Sequence, residues 1–459
     1  MPAAGAHPPG PPRRWWGLPL LRAMRADYLG FTEGLQRAHG DLTFMQLGAE
    51  QAYDLFTPEL VREALVDQAD ALIRWQRGIE VFEQVFGQSV LVTEGATWQR
   101  QRRMLQPAFT PRRVAGYAGL MRDAARSALD DAVPAGQAEA VVAMDGLWTR
   151  VAMDVIMRTL FSSSAPQDAR EAAAAVQVLS ETAMREMFWP LTLPDWWPLP
   201  GKAAKRQALR LLRGLVARHI DARRADAGGV ERDDLLAHLL ALRDDTTGEA
   251  LSPAEVFDQC MVSFQAGHET SATALLWWSR LMAEHPAALE QAQRELDAHL
   301  SGREPEAGDL PALPWLGATL KEAMRLYPPV AAVMTRRTTR DIRLGGHPIP
   351  AGALLRITPW VLQRDARWFD APGAFRPERY LPDARPFPRG AWMPFGTGPR
   401  VCIGQHFAIL EMTLVAAMLL QRYDLRLPPG TQPAEPVLNV TLRPRGGVRL
   451  LLARRSSHR

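Results

Sequence analysis

Cysteine is scarce in this chain of 459 residues, which contains only Cys260 and Cys402. Two cysteines form at most one disulfide and supply too few thiolates for a structural zinc site. Lysine is also scarce, because it occurs only at Lys202, Lys205 and Lys321, so arginine carries most of the positive charge behind the formal net charge of +4. The arginines are spread along the chain, whereas nucleic-acid binding needs basic charge clustered on one face. The composition therefore predicts a globular protein in a reducing compartment, with no nucleic-acid partner.

Long apolar runs are also missing. No stretch approaches the roughly 20 uncharged apolar residues of a membrane span. The segment most like a secretory signal, residues 15–21, follows Arg13 and Arg14 but is stopped by Arg22 and Arg25 before an apolar core develops. The sequence therefore predicts a cytoplasmic protein without a membrane span.

The first fourteen residues differ in composition from the rest, because prolines cluster between positions 8 and 12. A segment of this kind does not form a helix or a strand. This composition predicts that residues 1–14 form a flexible leader. We find no repeat and no obvious linker in residues 15–459, so we expect them to form a single domain.

Apolar residues recur at spacings of three and four through most of the chain up to about residue 326, which is typical of helices. Shorter apolar segments bounded by glycine and proline predict strands. The predicted helices are residues 58–66, 147–161, 203–225, 233–242, 252–285, 316–327 and 403–420. The predicted strands are residues 43–47 and 52–56, which form a hairpin, and residues 342–344, 354–357, 438–442 and 448–452. The expected fold class is mainly α with small β-sheets. Residues 188–200, rich in tryptophan and proline, predict either a loop packed on the core or a mobile lid.

The segment around Cys402 has the residue types of a site for an anionic, planar metal cofactor. Residues 395–404 read Phe-Gly-Thr-Gly-Pro-Arg-Val-Cys-Ile-Gly. Cys402 follows a glycine-rich loop and precedes a predicted helix, whose amide groups and dipole favour a thiolate. Arg400 adds a cation, and Gly404 leaves room for a flat group. Val401 stands where a dinucleotide-binding fingerprint needs its third glycine, so the segment does not match that fingerprint. The chain has no Cys-x-x-Cys-His motif, which excludes covalent c-type heme.

These ten residues resemble the Phe-x-x-Gly-x-Arg-x-Cys-x-Gly motif of the cytochrome P450 family and match all its fixed positions. The resemblance implies that Cys402 is the axial thiolate ligand of the iron of heme b, whereas Cys260, inside a predicted helix, is an inert core residue. It also implies the cytochrome P450 fold, with the heme between a long central helix and the helix that follows the Cys402 loop. The other residues of this segment that the resemblance assigns to the heme are Phe395, Gly396, Arg400 and Gly404.

The longest predicted helix, residues 252–285, has a capping box of Ser252 and Glu255 at its start and Pro286 after its end. At a rise of ~1.5 Å per residue it is about 50 Å long, which predicts a central position. In its middle, Gly267 costs ~1 kcal/mol relative to alanine, and Glu269 places a charge in an apolar stretch. Because each of these two residues destabilises the helix, we expect each to have a function that offsets its cost.

Residues 266–271, Ala-Gly-His-Glu-Thr-Ser, resemble the Ala/Gly-Gly-x-Asp/Glu-Thr oxygen-activation motif of the same family. Ala266 and Gly267 are expected to let the backbone approach the heme, and the Thr270 hydroxyl is expected to bond the carbonyl of Ala266. The resemblance implies that Thr270 and Glu269 organise proton delivery. The alternative is a buried threonine beside a glutamate that faces solvent.

Glu322 and Arg325 are three residues apart on a predicted helix and therefore share a face. Alone they would be a common surface pair. They resemble the family's Glu-x-x-Arg motif, in which Arg379, within residues 375–380, supplies the third member. The resemblance implies a structural network that holds the loop of Cys402.

Trp98 and Arg102 lie four residues apart, so they share a helical face, where they could be plain surface packing. By resemblance to the family's Trp-x-x-x-Arg pattern they bind a heme propionate. Arg336 matches a second propionate ligand, and with Arg400 the chain offers three guanidinium groups for two carboxylates. One mild departure is Gln363, which stands where the family often has histidine.

The resemblance covers about residues 40–455 and implies a heme-thiolate monooxygenase that inserts one oxygen atom from O2 into a hydrophobic small molecule. The sequence around these motifs looks most like that of soluble bacterial members of the family related to fatty-acid hydroxylases. Two alternatives stay open: a peroxide-driven peroxygenase or isomerase, and a non-enzymatic heme-thiolate sensor. The substrate, a fatty acid, a terpenoid or another apolar molecule, is not specified. The residues expected to line its site, by resemblance, are Phe86, Val90, Leu91, Phe264, Ala266, Val330, Ala331, Val333 and Met334.

Electrons are expected from NAD(P)H through a separate ferredoxin or flavodoxin and its reductase, because no flavin- or iron–sulfur-binding region fits in this length. An acidic donor protein would be attracted by exposed cations near Trp98. The candidates are Arg100, Arg103, Arg112 and Arg113, although these could equally be a solvated face of an arginine-rich protein. The protein itself is expected to be a monomer.

Overall fold

A computed structural model of the chain describes residues 7–164, 166–187, 195–197, 200–225, 232–332 and 334–455. In these residues the α-helices, in chain order, are α1 Leu18–Ala26, α2 Tyr28–His39, α3 Pro58–Arg62, α4 Gln76–Phe86, α5 Gly95–Leu105, α6 Pro111–Ala115, α7 Ala118–Asp130, α8 Met144–Phe161, α9 Pro166–Met187, α10 Pro200–Ala225, α11 Leu235–Ala241, α12 Pro253–Glu284, α13 Pro286–Leu300, α14 Pro314–Leu326, α15 Pro359–Leu362 and α16 Gln405–Arg422. The strands are β1 Leu42–Leu47, β2 Glu50–Leu55, β3 Leu72–Arg74, β4 Glu139–Ala143, β5 Met334–Thr338, β6 Ile342–Leu344, β7 His347–Ile349, β8 Leu354–Ile357, β9 Tyr423–Arg426, β10 Pro436–Leu438, β11 Leu442–Pro444 and β12 Arg449–Arg454. The mainly α class with small sheets, predicted from the sequence, is confirmed.

The chain divides into two compact units, each built from three separate segments. The first unit takes Met1–Glu80, Met324–Phe375 and Arg385–Cys402, and the second takes Val81–Ala323, Arg376–Ala384 and Ile403–Arg459. Because the segments alternate along the sequence, neither unit could be recognised as a separate domain from composition.

The first unit contains a five-stranded sheet in the order β1-β2-β8-β5-β3. The predicted hairpin is confirmed, because β1 and β2 pair antiparallel with Leu42 opposite Leu55. Strand β2 then pairs parallel with β8. One side of this sheet packs into an apolar core that includes Phe44, Tyr53 and Leu355. The sheet therefore gives β5, which carries Arg336, a rigid support.

Residues 7–14 lie against the edge strand β1. The carbonyl of Pro9 accepts the Phe44 N–H at 2.9 Å, the His7 ring stacks on Phe44 with centroids 4.1 Å apart, and Arg13 lies over the Phe44 ring. An edge strand leaves backbone groups that need partners, and an extended proline segment can supply them. The flexible leader predicted from the prolines therefore does not describe residues 7–14.

The second unit is organised around α12, whose predicted caps are present. The Ser252 side chain accepts the Glu255 N–H, and the Glu255 side chain accepts the Ser252 N–H. Most residues of α12 from Met261 onward are buried. The two fully buried indoles donate to Leu442 O (Trp277, 2.7 Å) and to Thr319 Oγ1 (Trp278, 2.9 Å). A 32-residue helix buried along most of its length fits the central position predicted for it.

Several predicted elements have different bounds, and two of them illustrate the difference. Residues 438–442 were expected to form one strand, but β10 ends at Leu438 and β11 begins at Leu442. The Asn439 N–H donates to the Thr441 carbonyl, so the residues between are a turn. The apolar alternation of Leu438, Val440 and Leu442 continues through this turn, which is why the pattern resembled a strand. Helix α16 begins at Gln405, two residues later than predicted.

Among the described residues, no helix has both the length and the apolar character needed to cross a membrane. Val333 lies outside the described residues, as do most of residues 188–200, for which a packed loop or a lid was predicted. Trp196 and Trp197 are described and are exposed.

Candidate functional site

The loop before Cys402 is built from consecutive turns in the first unit. The Gly396 N–H donates to Met393 O at 3.0 Å, and the Cys402 N–H donates to Phe395 O at 2.9 Å. Gly396 and Gly398 have φ of 75° and 76°, which other residues rarely adopt. A Cβ at Gly398 would lie 2.1 Å from the backbone oxygen of Leu65. The glycines are therefore required by the loop and by its close packing.

The two cysteines have opposite surroundings. Cys402 is exposed at the end of this loop, whereas Cys260 is buried in α12. Burial raises the pKa of the Cys260 thiol well above its usual value, so this sulfur stays protonated. Of the two cysteines, only Cys402 has a sulfur that a metal ion can reach.

Helix α16 starts three residues after Cys402, with Gly404 in the capping position. A Cβ added at Gly404 would meet no atom within 4 Å, so the backbone borders open space here. An accessible thiol, an adjoining arginine at Arg400 and a bare glycine beside a helix start fit the thiolate side of a heme. The Arg336 guanidinium, on β5, donates to the Thr335 carbonyl at 3.0 Å, and a guanidinium has the planar donor geometry that suits a carboxylate.

The middle of α12 in the second unit interrupts an otherwise buried helix. Ala266 is exposed and Thr270 is half-buried. The Thr270 hydroxyl donates to the Ala266 carbonyl at 2.8 Å, as expected from the sequence. Because the hydroxyl hydrogen is used in this bond, the lone pairs of Thr270 Oγ1 can accept a hydrogen bond from a neighbour.

Gly267 makes a close packing contact that the sequence did not indicate. A Cβ at this position would lie 2.5 Å from Cδ1 of Ile156 in α8. The missing side chain therefore allows α8 to approach α12, and the cofactor role of Gly267 stays a prediction. The sequence did not indicate this contact, because Ile156 lies more than a hundred residues before Gly267 along the chain.

Glu269 does not face solvent. It is 4% exposed, and its carboxylate accepts the hydroxyls of Ser180 at 2.6 Å and Thr441 at 2.8 Å. The Arg443 guanidinium lies 3.5 Å away. Burial lowers the pKa of the adjacent His268, while the Glu269 charge raises it, and His268 Nδ1 lies 3.1 Å from the Phe264 carbonyl oxygen. The buried Glu269 carboxylate of α12 thus has partners from α9 and from the β10–β11 hairpin.

The predicted Glu-x-x-Arg residues are fully buried. In the second unit, Glu322 accepts the Arg376 N–H at 2.9 Å and pairs with Arg379 Nε at 3.3 Å. In the first unit, Arg325 donates to the carbonyls of Gln363 and Pro372, both at 2.8 Å. The structure therefore places Arg379 against Glu322 and gives Arg325 backbone partners that the sequence did not indicate.

Gln363, which stands where the family often has histidine, is buried at the centre of these contacts. Its amide nitrogen donates to the carbonyls of Met324 and Arg325, both at 3.0 Å. Its amide oxygen accepts the Met393 N–H at 2.8 Å. Gln363 thus joins the end of α14 to the residue at which the Cys402 loop begins. Its place in the family's His-Arg-Asp pattern was the only signal for this role.

Glu411 in α16 was missed entirely. It is fully buried, and the Ser271 hydroxyl donates to it at 2.7 Å. Its second oxygen has no hydrogen-bond partner among the described residues. Burial raises the pKa of Glu411 to about 8, and the Ser271 bond lowers it only in part. Its position within an apolar helical pattern gave no sign that this carboxyl would be buried with a raised pKa.

Trp98 and Arg102 both lie on α5, four residues apart and half-buried. Three of the four arginines proposed for donor docking are in ion pairs within the second unit. Arg100 pairs with Glu255, Arg103 with Asp244 at 2.8 Å, and Arg113 with Asp233 at 3.3 Å. Arg112 is exposed on α6. The predicted face therefore carries less uncompensated charge than the sequence suggested.

The described residues expected to line the substrate site fall in both units. Phe86 and Phe264 are buried in the second unit, where Val90 and Leu91 are half-buried. The Val90 N–H donates to Gln259 at 3.2 Å. In the first unit, Ala331 is buried, and Val330 and Met334 are half-buried. All of these side chains are apolar.

Comparison with known proteins gives the same family over nearly the whole chain. The cytochrome P450 family matches residues 8–450. The chain is 35% identical to cyclooctatin synthase of Streptomyces melanosporofaciens, with 91% of this chain and 90% of that protein covered. It is 34% identical to cyclooctat-9-en-7-ol 5-monooxygenase of the same organism, with 94% of each covered. It is 32% identical to pentalenene oxygenase of Streptomyces avermitilis, with 89% of each covered. The chain therefore belongs to the cytochrome P450 family, which uses heme, and is a monooxygenase.

Proposed function

We propose that this monooxygenase hydroxylates a terpenoid or a similar cyclic hydrocarbon, with one oxygen atom from O2. Two relatives support this class, because their names specify an unsaturated alcohol, cyclooctat-9-en-7-ol, and an alkene, pentalenene. The expected lining side chains, such as Phe86, Phe264 and Ala331, are apolar and offer no charge for a fatty-acid carboxylate. A terpenoid therefore fits better than a fatty acid.

Heme b would be held by the Cys402 thiolate, and Trp98, Arg102, Arg336 and Arg400 would bind its propionates. When bound, such a heme supplies the redox chemistry that activates O2, and a thiolate ligand favours O–O cleavage. The observation that carries this assignment is the accessible Cys402 thiol on a loop whose glycines cannot be replaced without strain. Ala266, Phe395, Gly396 and Gly404 would border the macrocycle.

Thr270 would hold and pass on the proton that O2 activation consumes. Its hydroxyl is fixed by the bond to the Ala266 carbonyl and is the more accessible of the two polar groups. Glu269 is held by Ser180 and Thr441, so it acts as a positioning residue that fixes this part of α12. Proton transfer by a positioned side chain typically contributes about 10²- to 10⁴-fold in rate.

Coupling measurements with a surrogate ferredoxin, its reductase and NAD(P)H test this role. Thr270→Ala should retain heme and substrate binding but divert electrons to hydrogen peroxide, whereas Thr270→Ser should restore most of the coupling. Thr273→Ala, a buried threonine one turn further along α12, is the matched control. If Thr270→Ala produced as much product per NAD(P)H as the parent protein, the proton role of Thr270 would be wrong.

The same assay separates the proposed activity from its alternatives. A monooxygenase consumes NAD(P)H and O2 in proportion to product. A peroxygenase or isomerase would form product from a peroxide without NAD(P)H, and a sensor would form none. Substrate class is tested by optical titration for substrate-induced spin-state shifts: cyclic terpene alkenes should shift the heme spectrum at lower concentrations than fatty acids. The reverse order would reject the terpenoid assignment.

A further inference from the structure

The largest exposed apolar side chains of the first unit are concentrated at its amino-terminal end. Trp15 is 79% exposed, Trp16 77%, Leu18 62% and Leu21 41%. We call these four residues, with the neighbouring arginines Arg13, Arg14, Arg22 and Arg25, the amino-terminal patch. Soluble proteins seldom expose several large apolar residues together unless the patch binds something.

The patch is held rigidly at the surface. The Gly48 N–H donates to the Trp16 carbonyl at 2.8 Å, and a Cβ at Gly17 would lie 2.1 Å from the Gln46 backbone oxygen. Trp15 and Trp16 have φ of 50° and 55°, a conformation that bulky residues rarely adopt. Helix α1 follows directly, and Met24 is its one buried residue. The backbone is therefore fixed against β1 while both indoles are exposed to solvent.

The charge of the patch has one sign. Residues 7–26 contain four arginines and no aspartate or glutamate, and the first acidic residue is Asp27. Arg14 and Arg22 are exposed. A second copy of this chain is a poor occupant, because a symmetric contact would bring the two sets of arginines together. The complementary surface is apolar and negatively charged.

We propose that the amino-terminal patch binds the surface of an anionic lipid bilayer and holds the protein there peripherally. Indole rings favour the boundary between lipid headgroups and acyl chains, because one edge is polar and the rest apolar. Arginines beside them are attracted to anionic headgroups. Binding of this kind needs no span and depends on the sum of buried apolar area and electrostatic attraction.

Co-sedimentation of the full-length, heme-loaded protein with vesicles tests the proposal. Vesicles of phosphatidylcholine with added phosphatidylglycerol should bind the protein, more weakly as salt rises, and vesicles of phosphatidylcholine alone should bind it less. Trp15→Ala with Trp16→Ala should lower the partition coefficient at least about tenfold through lost apolar area. Arg14→Glu with Arg22→Glu should lower it at least about 30-fold, since each basic residue near such a surface contributes roughly a fivefold factor.

Matched controls carry the same substitutions at other exposed positions. Trp196→Ala with Trp197→Ala controls for the indoles, and Arg210→Glu with Arg224→Glu controls for charge. All variants should retain the heme spectrum of the parent, which shows that they are folded. The proposal is overturned if no vesicle binds the parent protein, or if the control pairs lower binding as much as the patch pairs. It is equally overturned if the parent is an oligomer that Trp15→Ala with Trp16→Ala dissociates while vesicle binding is unchanged.

Discussion

Replacing Gln363 by leucine should destabilise the first unit and the loop that presents Cys402. The amide of Gln363 satisfies three buried backbone groups, the carbonyls of Met324 and Arg325 and the N–H of Met393. Leucine has a similar volume but leaves all three without a partner. Each buried polar group left unsatisfied costs about 1–3 kcal/mol, so the expected loss is at least about 3 kcal/mol.

Thermal unfolding of the heme-loaded protein measures this effect. Proteins gain about 2.1 cal/mol/K of unfolding entropy per residue, so a chain of 459 residues changes its Tm by only about 1 °C per kcal/mol. The expected drop in Tm is therefore roughly 3 °C or more. The reduced carbon monoxide spectrum should also lose its thiolate band at a lower temperature, because the Met393 bond lies at the start of the Cys402 loop.

Two other variants show which bonds matter. Gln363→His keeps one donor and one acceptor and should lie between the parent and Gln363→Leu. Gln363→Glu keeps the acceptor for the Met393 N–H but cannot donate to the two carbonyls when ionised. If Gln363→Leu had the Tm and the thiolate band of the parent protein, the reasoning about these three bonds would be refuted.

Glu411→Gln should change the pH dependence of stability, since the folded pKa of Glu411 is about 8 against a usual 4.5. Between these values the folded protein holds a proton that the unfolded chain has released, so this residue makes stability fall as pH rises, by up to about 1.4 kcal/mol per pH unit, and the effect levels off above pH 8. Urea unfolding at pH 6 and pH 8 should therefore show Glu411→Gln gaining stability relative to the parent at the higher pH; an equal difference at both pH values would contradict a neutral buried acid. Arg112→Glu should slow electron transfer from an acidic ferredoxin and weaken its salt dependence, whereas Arg103→Glu acts mainly by breaking the pair with Asp244. Unchanged transfer rates and salt dependence in Arg112→Glu would mean that the donor docks elsewhere.

Local sequence patterns predicted the parts of this protein that depend on local chemistry. The capping box of Ser252 and Glu255 gave the start of α12, and the spacing from Thr270 to Ala266 gave their hydrogen bond. The glycines before Cys402 indicated a turn that only they can form. Each of these features is decided by residues within a few positions of one another.

Contacts between distant segments were the ones that the sequence did not reveal. The packing of Gly267 against Ile156 was not foreseen, because nothing in the sequence places Ile156 beside it. The partners of Glu269, Ser180 and Thr441, lie 89 and 172 residues away along the chain. The role of Gln363 was also not visible in the sequence, because it depends on backbone groups that folding brings next to its side-chain amide. A single sequence records no such proximity.

One spectrum tests whether Cys402 is the heme ligand. The reduced carbon monoxide complex of the heme-loaded protein should absorb near the wavelength typical of thiolate-ligated heme. Cys402→Ser should lose this band, and Cys260→Ser, which changes the buried cysteine of α12, should keep it. If Cys402→Ser kept the band and Cys260→Ser lost it, Cys402 would not be the heme ligand.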